Sequence, residues 1–191
     1  MKFSIYLGDI ADAPADAVCT STNPRLSLMM GTGASIRARG GPEILRACES
    51  HPPLAAGAVY STTAGALPHK LVIHCVASDS SHRSSPDIVR ACVTNALACA
   101  DAAGCGTIAM PILGTGHARL AFAEAASAMV RGAVETPSGV EHLIFVTNDD
   151  ENIDPLRALL ESATGQLIEI DRSEEVEAEP GGYWTFSLDA D

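Results

Sequence analysis

Short apolar runs alternate along the chain with longer stretches in which apolar residues recur at helical spacing. The apolar runs have the length of β-strands, and they cover residues 3–7, 17–21, 58–63, 70–76, 107–111 and 143–146. The amphipathic stretches are bounded by proline, glycine or polar residues, and they cover residues 35–39, 43–49, 86–103, 120–133 and 153–163. Strands that alternate with helices in this way predict a three-layer α/β domain.

Individual residues sharpen several of these boundaries. Gly40 and Gly41 interrupt one helix, and Pro42 directly after them suits the first position of the next helix. Gly165 suits the C-cap of the last helix. Residues 70–76 form a nearly continuous apolar run, which is typical of a strand in the interior of a parallel sheet.

The last part of the chain changes in composition. Residues 172–180 are acidic and poor in apolar side chains. We therefore expect one domain over residues 1–165, followed by an acidic C-terminal tail or extension over residues 166–191. Within that extension, residues 167–170 and 183–186 have the composition to add a strand.

The overall composition excludes several classes of protein. A length of 191 residues and a hydrophobic share of 47% fit one folded domain. No stretch suits a membrane span and the N-terminal residues lack the apolar region of a signal peptide, so we expect a cytoplasmic protein without a membrane partner. The formal net charge of −12 argues against a groove for extended nucleic acid, but a single small anion can still bind local N–H groups.

The six cysteines contain no C-x-x-C pair, and most lie in apolar runs. This pattern is typical of reduced core thiols in a cytosolic protein rather than of disulfides or a zinc site. The sequence predicts neither a metal site nor a bound cofactor.

Two glycine turns are the main evidence in the sequence for an anion-binding site. Gly114-Thr115-Gly116 lies between a predicted strand and a predicted helix, and Gly31-Thr32-Gly33 precedes another helix. Backbone N–H groups at such turns and at helix N-termini favour anions. Neither turn is a P-loop or a dinucleotide fingerprint, and each alone is typical of a packing turn. Together they suit a diphosphate, because its charge needs donors from more than one direction.

Three polar residues next to these elements are further candidates. Asp9 follows the first strand and is either a turn residue or an acceptor for the exocyclic amine of adenine. Asn23 precedes Pro24 and is either a turn residue or a ligand of a sugar hydroxyl. His117 lies beside the second turn and is either a solvated loop residue, a general base or a hydrogen-bond donor to phosphate. His74 lies in an apolar strand and is expected in the core.

These pieces, in this order, resemble a macrodomain. The resemblance covers about residues 2–163 and is carried by residues 8–10, 18–23, 31–41, 57–76, 111–116 and 143–148. It implies a mixed, roughly six-stranded sheet between helices, with ADP-ribose in a cleft at the top of the sheet. The implied partner is ADP-ribose or an ADP-ribosylated protein.

The resemblance also implies roles for individual residues. Asp9 would receive the adenine amine, the Ile10 N–H would touch the ring, and Asn23 would lie near the distal ribose. Gly31, Thr32 and Gly33 match the first phosphate loop of the family, and Gly114, Thr115 and Gly116 match the second. Phe145 is the nearest candidate for the aromatic residue that often stacks on adenine.

One loop and two single positions depart from the family pattern, and the loop is Leu28-Met29-Met30, which is bulkier and more apolar than usual. Gly33 stands where many family hydrolases carry an aspartate, and Thr20 stands where the family often has an asparagine. Three functions therefore stay open: a reader of ADP-ribose, a hydrolase of ADP-ribosyl linkages and an O-acetyl-ADP-ribose deacetylase. A binder of nucleic-acid ends is a further alternative, which the negative net charge disfavours. In either hydrolytic reaction a phosphate of the ligand would hold the water, and Asn23 and His117 are the candidate catalytic residues.

Overall fold

A computed structural model of the protein describes residues 1–173, and these form one seven-stranded sheet with helices on both faces. The strands are β1 (Lys2–Leu7), β2 (Ala17–Thr22), β3 (Val59–Thr63), β4 (Leu71–Val76), β5 (Thr107–Pro111), β6 (His142–Thr147) and β7 (Glu169–Arg172). Their order across the sheet is β3-β4-β2-β5-β6-β1-β7. All neighbouring pairs are parallel except β3 and β4, so the sheet is mixed as expected.

Five α-helices and two short 3₁₀ turns connect these strands within residues 1–173. The helices are α1 (Gly31–Gly40), α2 (Pro42–Ser50), α3 (Pro86–Ala102), α4 (Phe122–Glu135) and α5 (Ile153–Thr164). The 3₁₀ turns are Ile10–Asp12 and Asp150–Asn152. In that part of the chain no helix is both long enough and apolar enough to cross a membrane.

Most predicted boundaries hold to within a few residues. Pro42 is the first residue of α2, and Gly165 caps α5 in the left-handed conformation with a φ of 67°. The clearest difference is at α1, because Gly31, Thr32 and Gly33 form its first turn instead of a loop before it.

The seventh strand exceeds the roughly six strands expected. Residues 169–172 pair in parallel with β1, with Ser4 opposite Glu169 and Leu7 opposite Arg172. The predicted strand at 167–170 is thus placed two residues too early. The predicted strand at 183–186 and most of the acidic stretch lie outside the described residues.

The core has one layer on each face of the sheet, which confirms the three-layer architecture. On one face, α3, α4 and α5 pack against side chains such as Ile5 and Ile108. On the other face, α1 and α2 pack against side chains such as Val18 and Ile144. Alternate residues of each strand contribute to opposite layers, because successive side chains of a strand point to opposite faces.

The polar residue His74 is part of this core, as predicted. Its ring is completely buried, and its Nε2 lies 3.0 Å from Thr62 Oγ1 and 3.6 Å from Cys48 Sγ. Burial lowers the pKa of His74 to about 4, and burial also raises the pKa of the Cys48 thiol to about 11. Both groups are therefore uncharged at neutral pH, and all six cysteines are free thiols.

Candidate functional site

One cavity of about 1090 Å³ lies at the C-terminal edge of the sheet. The strands β1, β2, β4, β5 and β6 are parallel, so the loops that follow them meet at this edge. Most of the predicted site residues line this single cavity, namely Asp9, Ile10, Asn23, Gly31, Thr32, Gly114, Thr115, Gly116 and His117. The sheet thus brings together two glycine turns that are separated by about 80 residues of sequence.

The first glycine turn presents the free N–H groups of a helix N-terminus. Met30, the N-cap of α1, makes no side-chain capping bond, and the first turn of α1 carries no acidic residue. Gly31 and Thr32 line the cavity, and N–H groups in the first turn of a helix have no intrahelical acceptor. The hydroxyl of Thr32 lies 3.0 Å from that of Thr20 on β2, which fixes the helix start to the sheet.

The second glycine turn is held rigidly by its own hydrogen bonds. Thr115 Oγ1 donates to the carbonyl of Ile112 at 2.9 Å, and the N–H of Leu120 donates to the carbonyl of Gly114 at 3.0 Å. Gly114 has a φ of +79°, and a Cβ there would lie 2.6 Å from Ser84 Oγ. Only glycine meets both conditions. The N–H of Gly114 itself donates to Ser21 Oγ at 3.4 Å, which leaves the N–H groups of Thr115 and Gly116 without an acceptor within residues 1–173.

Gly33 does not line the cavity, contrary to the expected role in the first phosphate loop. It is buried beneath the turn, where a Cβ would lie 3.1 Å from Leu28 Cα. Its small size lets the segment before α1 pack closely against the helix. The sequence pattern predicted a loop at this position, whereas Gly33 lies inside the first turn of α1.

Phe145 is also misplaced by the sequence prediction. Its side chain is fully buried in the core layer that faces α3, α4 and α5, and its ring centroid lies 6.5 Å from that of Phe3. It therefore cannot stack on a ligand in the cavity. Side-chain alternation along β6 places the next residue, Val146, in the cavity wall instead.

Asp9 is a cap residue whose side chain also lines the cavity. Its Oδ1 accepts hydrogen bonds from the N–H of Ala11 at 2.8 Å and from Ser35 Oγ at 2.6 Å, as expected of a cap residue. The side chain is nevertheless 44% exposed and lines the cavity. Within residues 1–173 its second oxygen has no hydrogen-bond donor, so the carboxylate keeps an acceptor for a ligand.

Charged neighbours stabilise the Asp9 end of the cavity. The guanidinium of Arg39 lies 4.0 Å from Asp9 Oδ1 and forms a two-point contact with Asp12, one arm of which is 2.6 Å long. This contact holds the pKa of Asp12 below its usual range. Ile10 is almost completely buried next to Asp9, so it can offer the cavity little beyond its main chain.

Asn23 is a turn residue that also lines the cavity. Its Oδ1 accepts from the N–H of Arg25 at 2.9 Å and from the N–H of Ser27 at 3.4 Å. Because backbone N–H groups can only donate, these bonds identify the oxygen and leave Nδ2 as the free end of the amide. Asn23 can therefore offer a donor, but not an acceptor, to a hydroxyl group.

His117 lies in the exposed part of the second glycine loop and has an imidazole neighbour that the sequence did not reveal. The ring of His82, in the loop after β4, meets the ring of His117 edge to face at a centroid distance of 5.1 Å. Both residues line the cavity. Their sequence spacing carries no signal, because the contact depends on β2 and β5 being inserted next to β4.

A further group of lining residues at the Asp9 end was also missed, and these are Thr147, Asn148, Asp150, Asn152, Arg172 and Ser173. Arg172 Nη1 lies 3.2 Å from Asp150 Oδ1, and the N–H of Ser173 donates to the carbonyl of Leu7 at 3.0 Å. This wall exists because β7 pairs with β1 at the edge of the sheet. The short and polar sequence of β7 predicts no such pairing.

Comparisons with known proteins agree with this architecture. The family model for the Macro domain matches residues 19–129. A macro domain-containing protein of Streptomyces nogalater is 34% identical over 79% of this chain and 87% of its own length. An O-acetyl-ADP-ribose deacetylase of Citrobacter rodentium is 30% identical over 78% of this chain and 90% of its own length.

A solved structure and a group of longer relatives complete the comparison. A variant of the Oceanobacillus iheyensis macrodomain, solved with ADPR, superposes with a TM-score of 0.78 over 85% of this chain and 93% of its own, at 21% identity. The chain spans only about 42% of the length of the uncharacterized mycobacterial proteins that it also matches, at 30% identity over 78% of this chain. From the matched family model and the close relatives, we conclude that this chain belongs to the macro domain family.

Proposed function

We propose that the cavity binds ADP-ribose, either free or attached to a protein. The observation that carries this proposal is the convergence of two N–H-bearing glycine turns and one carboxylate on a single cavity. Main-chain donors from two sides match a diphosphate, whereas a carboxylate matches the exocyclic amine of a purine. The O-acetyl-ADP-ribose deacetylase among the relatives and the fold neighbour solved with ADPR support the same ligand.

The proposed ligand has one orientation in the cavity. Adenine lies at the Asp9 end, between that carboxylate and the wall formed by residues 147–152 and 172–173. The diphosphate lies between Gly31 and Thr32 on one side and the turn at residues 114–116 on the other. The distal ribose then reaches Asn23, whose Nδ2 can donate to a ribose hydroxyl, and His117.

Hydrolysis of an ADP-ribosyl linkage is the chemistry we propose for this arrangement. A phosphate oxygen of the ligand would hold a water molecule, whose oxygen attacks the anomeric carbon while the bond to the modified side chain breaks. His117 would take up the proton that the water loses. Gly33 has no side chain, so the start of α1 supplies no carboxylate for this task.

Two alternatives share the same binding mode. In an O-acetyl-ADP-ribose deacetylase, the same water would attack the ester carbonyl carbon and release acetate; the similarity to a protein of that name favours this candidate. In a reader without catalysis, Asn23 and His117 would only bind the distal ribose.

Calorimetry with ADP-ribose tests the binding, and Asp9→Ala tests its orientation. We expect the variant to bind ADP-ribose at least fivefold more weakly and to lose any preference over the inosine analogue, which lacks the amine. Asp87→Ala is the control, because Asp87 is an exposed carboxylate that does not line the cavity. No binding by the wild-type protein at high concentration would refute the proposal.

Product assays then separate the three functions. Mono-ADP-ribosylated protein is scored for released ADP-ribose, and O-acetyl-ADP-ribose is scored for released acetate. Release in neither assay, with binding intact, identifies a reader. If turnover survives His117→Ala, the protein is an enzyme but His117 is not required for its mechanism.

A further inference from the structure

The loops around the cavity mouth differ in charge between two halves of the sheet. The loops after the adjacent strands β4, β2 and β5, at residues 77–85, 23–30 and 112–121, carry Arg83, Arg25 and Arg119; we call them the cationic half. The loop segments at residues 8–12 and 148–152, at the same edge of the sheet, carry five acidic residues, Asp9, Asp12, Asp149, Asp150 and Glu151. The cations next to those acids are already paired, as Arg39 is with Asp12 and Arg172 is with Asp150.

The three arginines of the cationic half are anchored through their backbones while their side chains are exposed. The N–H of Arg25 donates to Asn23 Oδ1 at 2.9 Å, that of Arg83 to Asp79 Oδ1 at 2.9 Å, and that of Arg119 to the carbonyl of Gly116 at 3.0 Å. Within residues 1–173 none of these three guanidinium groups has a carboxylate partner. The one acid on these loops, Asp79, already accepts two turn N–H groups through Oδ1.

Backbone conformation marks the same three loops. In the described part of the chain, the non-glycine residues with positive φ are Leu26, His82 and Arg119, at 54°, 58° and 55°. Each is either one of the three arginines or the neighbour of one. Such conformations are uncommon outside glycine and concentrate at functional sites. These loops contribute residues to the cavity lining, although the three arginines themselves lie outside it. They thus combine cations that have no carboxylate partner within residues 1–173 with backbone positions in an uncommon conformation, in a chain whose net charge is −12.

We propose that the cationic half is a docking surface for an acidic segment of the protein that carries the ADP-ribosyl group. This inference rests on the proposed function, because in the proposed orientation the distal ribose, and hence the attached protein, leaves the cavity on this side. Three separated guanidinium groups suit a short run of aspartate or glutamate side chains flanking the modified residue.

Exposed apolar side chains favour a protein segment over a phosphate polymer as the occupant. Met29 and Met30 lie on the same loop as Arg25, and they are 61% and 62% exposed. Exposed methionines are typical of surfaces that adapt to different peptide partners. A long polyanion would also extend past the cationic half and meet the net negative charge of the chain.

The test compares two fluorescent peptides that carry the same ADP-ribosyl group through a non-hydrolysable linkage. In one peptide the flanking residues are glutamates, and in the other they are glutamines. Fluorescence anisotropy at about 50 mM and 200 mM salt measures both affinities, since exposed ion pairs are screened by salt. We expect the wild-type protein to bind the acidic peptide about tenfold more tightly at low salt, with most of the difference lost at the higher salt.

Charge-matched variants locate the effect. The triple substitution R25Q/R83Q/R119Q is expected to abolish the preference for the acidic peptide. The control R46Q/R90Q/R131Q removes the same charge from exposed helix positions that do not line the cavity and is expected to retain the preference. Both variants should bind free ADP-ribose within about threefold of the wild-type affinity.

Several outcomes would overturn the inference. Equal affinity of the wild-type protein for the two peptides refutes it without any variant, and equal losses in the two triple variants refute the assigned location. If R25Q/R83Q/R119Q loses affinity for an ADP-ribose oligomer but not for the acidic peptide, the surface serves a phosphate polymer and the inference is wrong. Failure of the wild-type protein to bind free ADP-ribose would instead refute the proposed function itself.

Discussion

Substitution of Gly114 by alanine is the sharpest perturbation of the second glycine turn. The added Cβ would lie 2.6 Å from Ser84 Oγ and 3.1 Å from Ser84 Cβ, at a residue whose φ is +79°. Left-handed backbone conformation costs a residue with a side chain about 1–2 kcal/mol, and overpacking costs about 1–3 kcal/mol more. We therefore expect Gly114→Ala to lower the free energy of unfolding by about 2–5 kcal/mol.

The same substitution should weaken ligand binding, because the added Cβ strains the left-handed backbone of the turn and crowds Ser84 and Val89, which displaces the neighbouring N–H donors. A hydrogen bond to a charged group is worth about 1.5–3 kcal/mol, so misplacing one N–H donor should weaken ADP-ribose binding at least tenfold. Urea denaturation measures the stability, and calorimetry at a temperature where the variant is fully folded measures the affinity.

Gly104→Ala provides the matched control for backbone strain. Gly104 also has a positive φ, of 68°, but a Cβ there has no heavy atom within 4 Å and the residue does not line the cavity. This variant should lose about 1–2 kcal/mol of stability and keep the wild-type affinity. If Gly114→Ala also kept the wild-type affinity, the second glycine turn would not be a binding element.

Two further predictions concern the core. The first is that Phe145→Leu should lower the free energy of unfolding by about 1 kcal/mol. ADP-ribose affinity measured by calorimetry should stay unchanged, because the ring is fully buried away from the cavity. Weaker binding by the folded variant would contradict the core assignment. The second prediction concerns His74, whose pKa burial lowers to about 4 in the folded protein, from about 6.5 in unfolded chains. The unfolded state therefore takes up a proton first as the pH falls. The free energy of unfolding should decrease as the pH drops from about 6.5 to about 4. The loss should reach about 3 kcal/mol relative to His74→Gln, measured by urea denaturation at each pH; parallel pH profiles for the two proteins would contradict it.

The sequence predicts the elements of this fold better than it predicts their side-chain directions. Apolar runs and glycine or proline boundaries located the strands and helices, because those signals are local. Phe145 and Gly33 were misassigned because each depends on which way a residue points within an element. A shift of one position along β6 separates the core from the cavity wall.

Residues brought to the cavity by long-range pairing were the hardest to predict. Arg172 and Ser173 reach it because β7 pairs with β1, about 165 positions earlier in the chain. His82 meets His117 because β4, β2 and β5 are neighbours in the sheet. Neither arrangement leaves a periodicity or a spacing in the sequence, so only the assembled sheet reveals them.

The central claim is that main-chain N–H groups of both glycine turns bind one diphosphate. At 19.8 kDa the protein suits amide-resolved NMR, and a titration with ADP-ribose tests the claim directly. We predict that the amide signals of Gly31, Thr32, Thr115 and Gly116 all shift during the titration and follow one binding curve with a single dissociation constant. Shifts confined to one of the two turns, or saturable shifts only at residues outside the cavity, would contradict the claim.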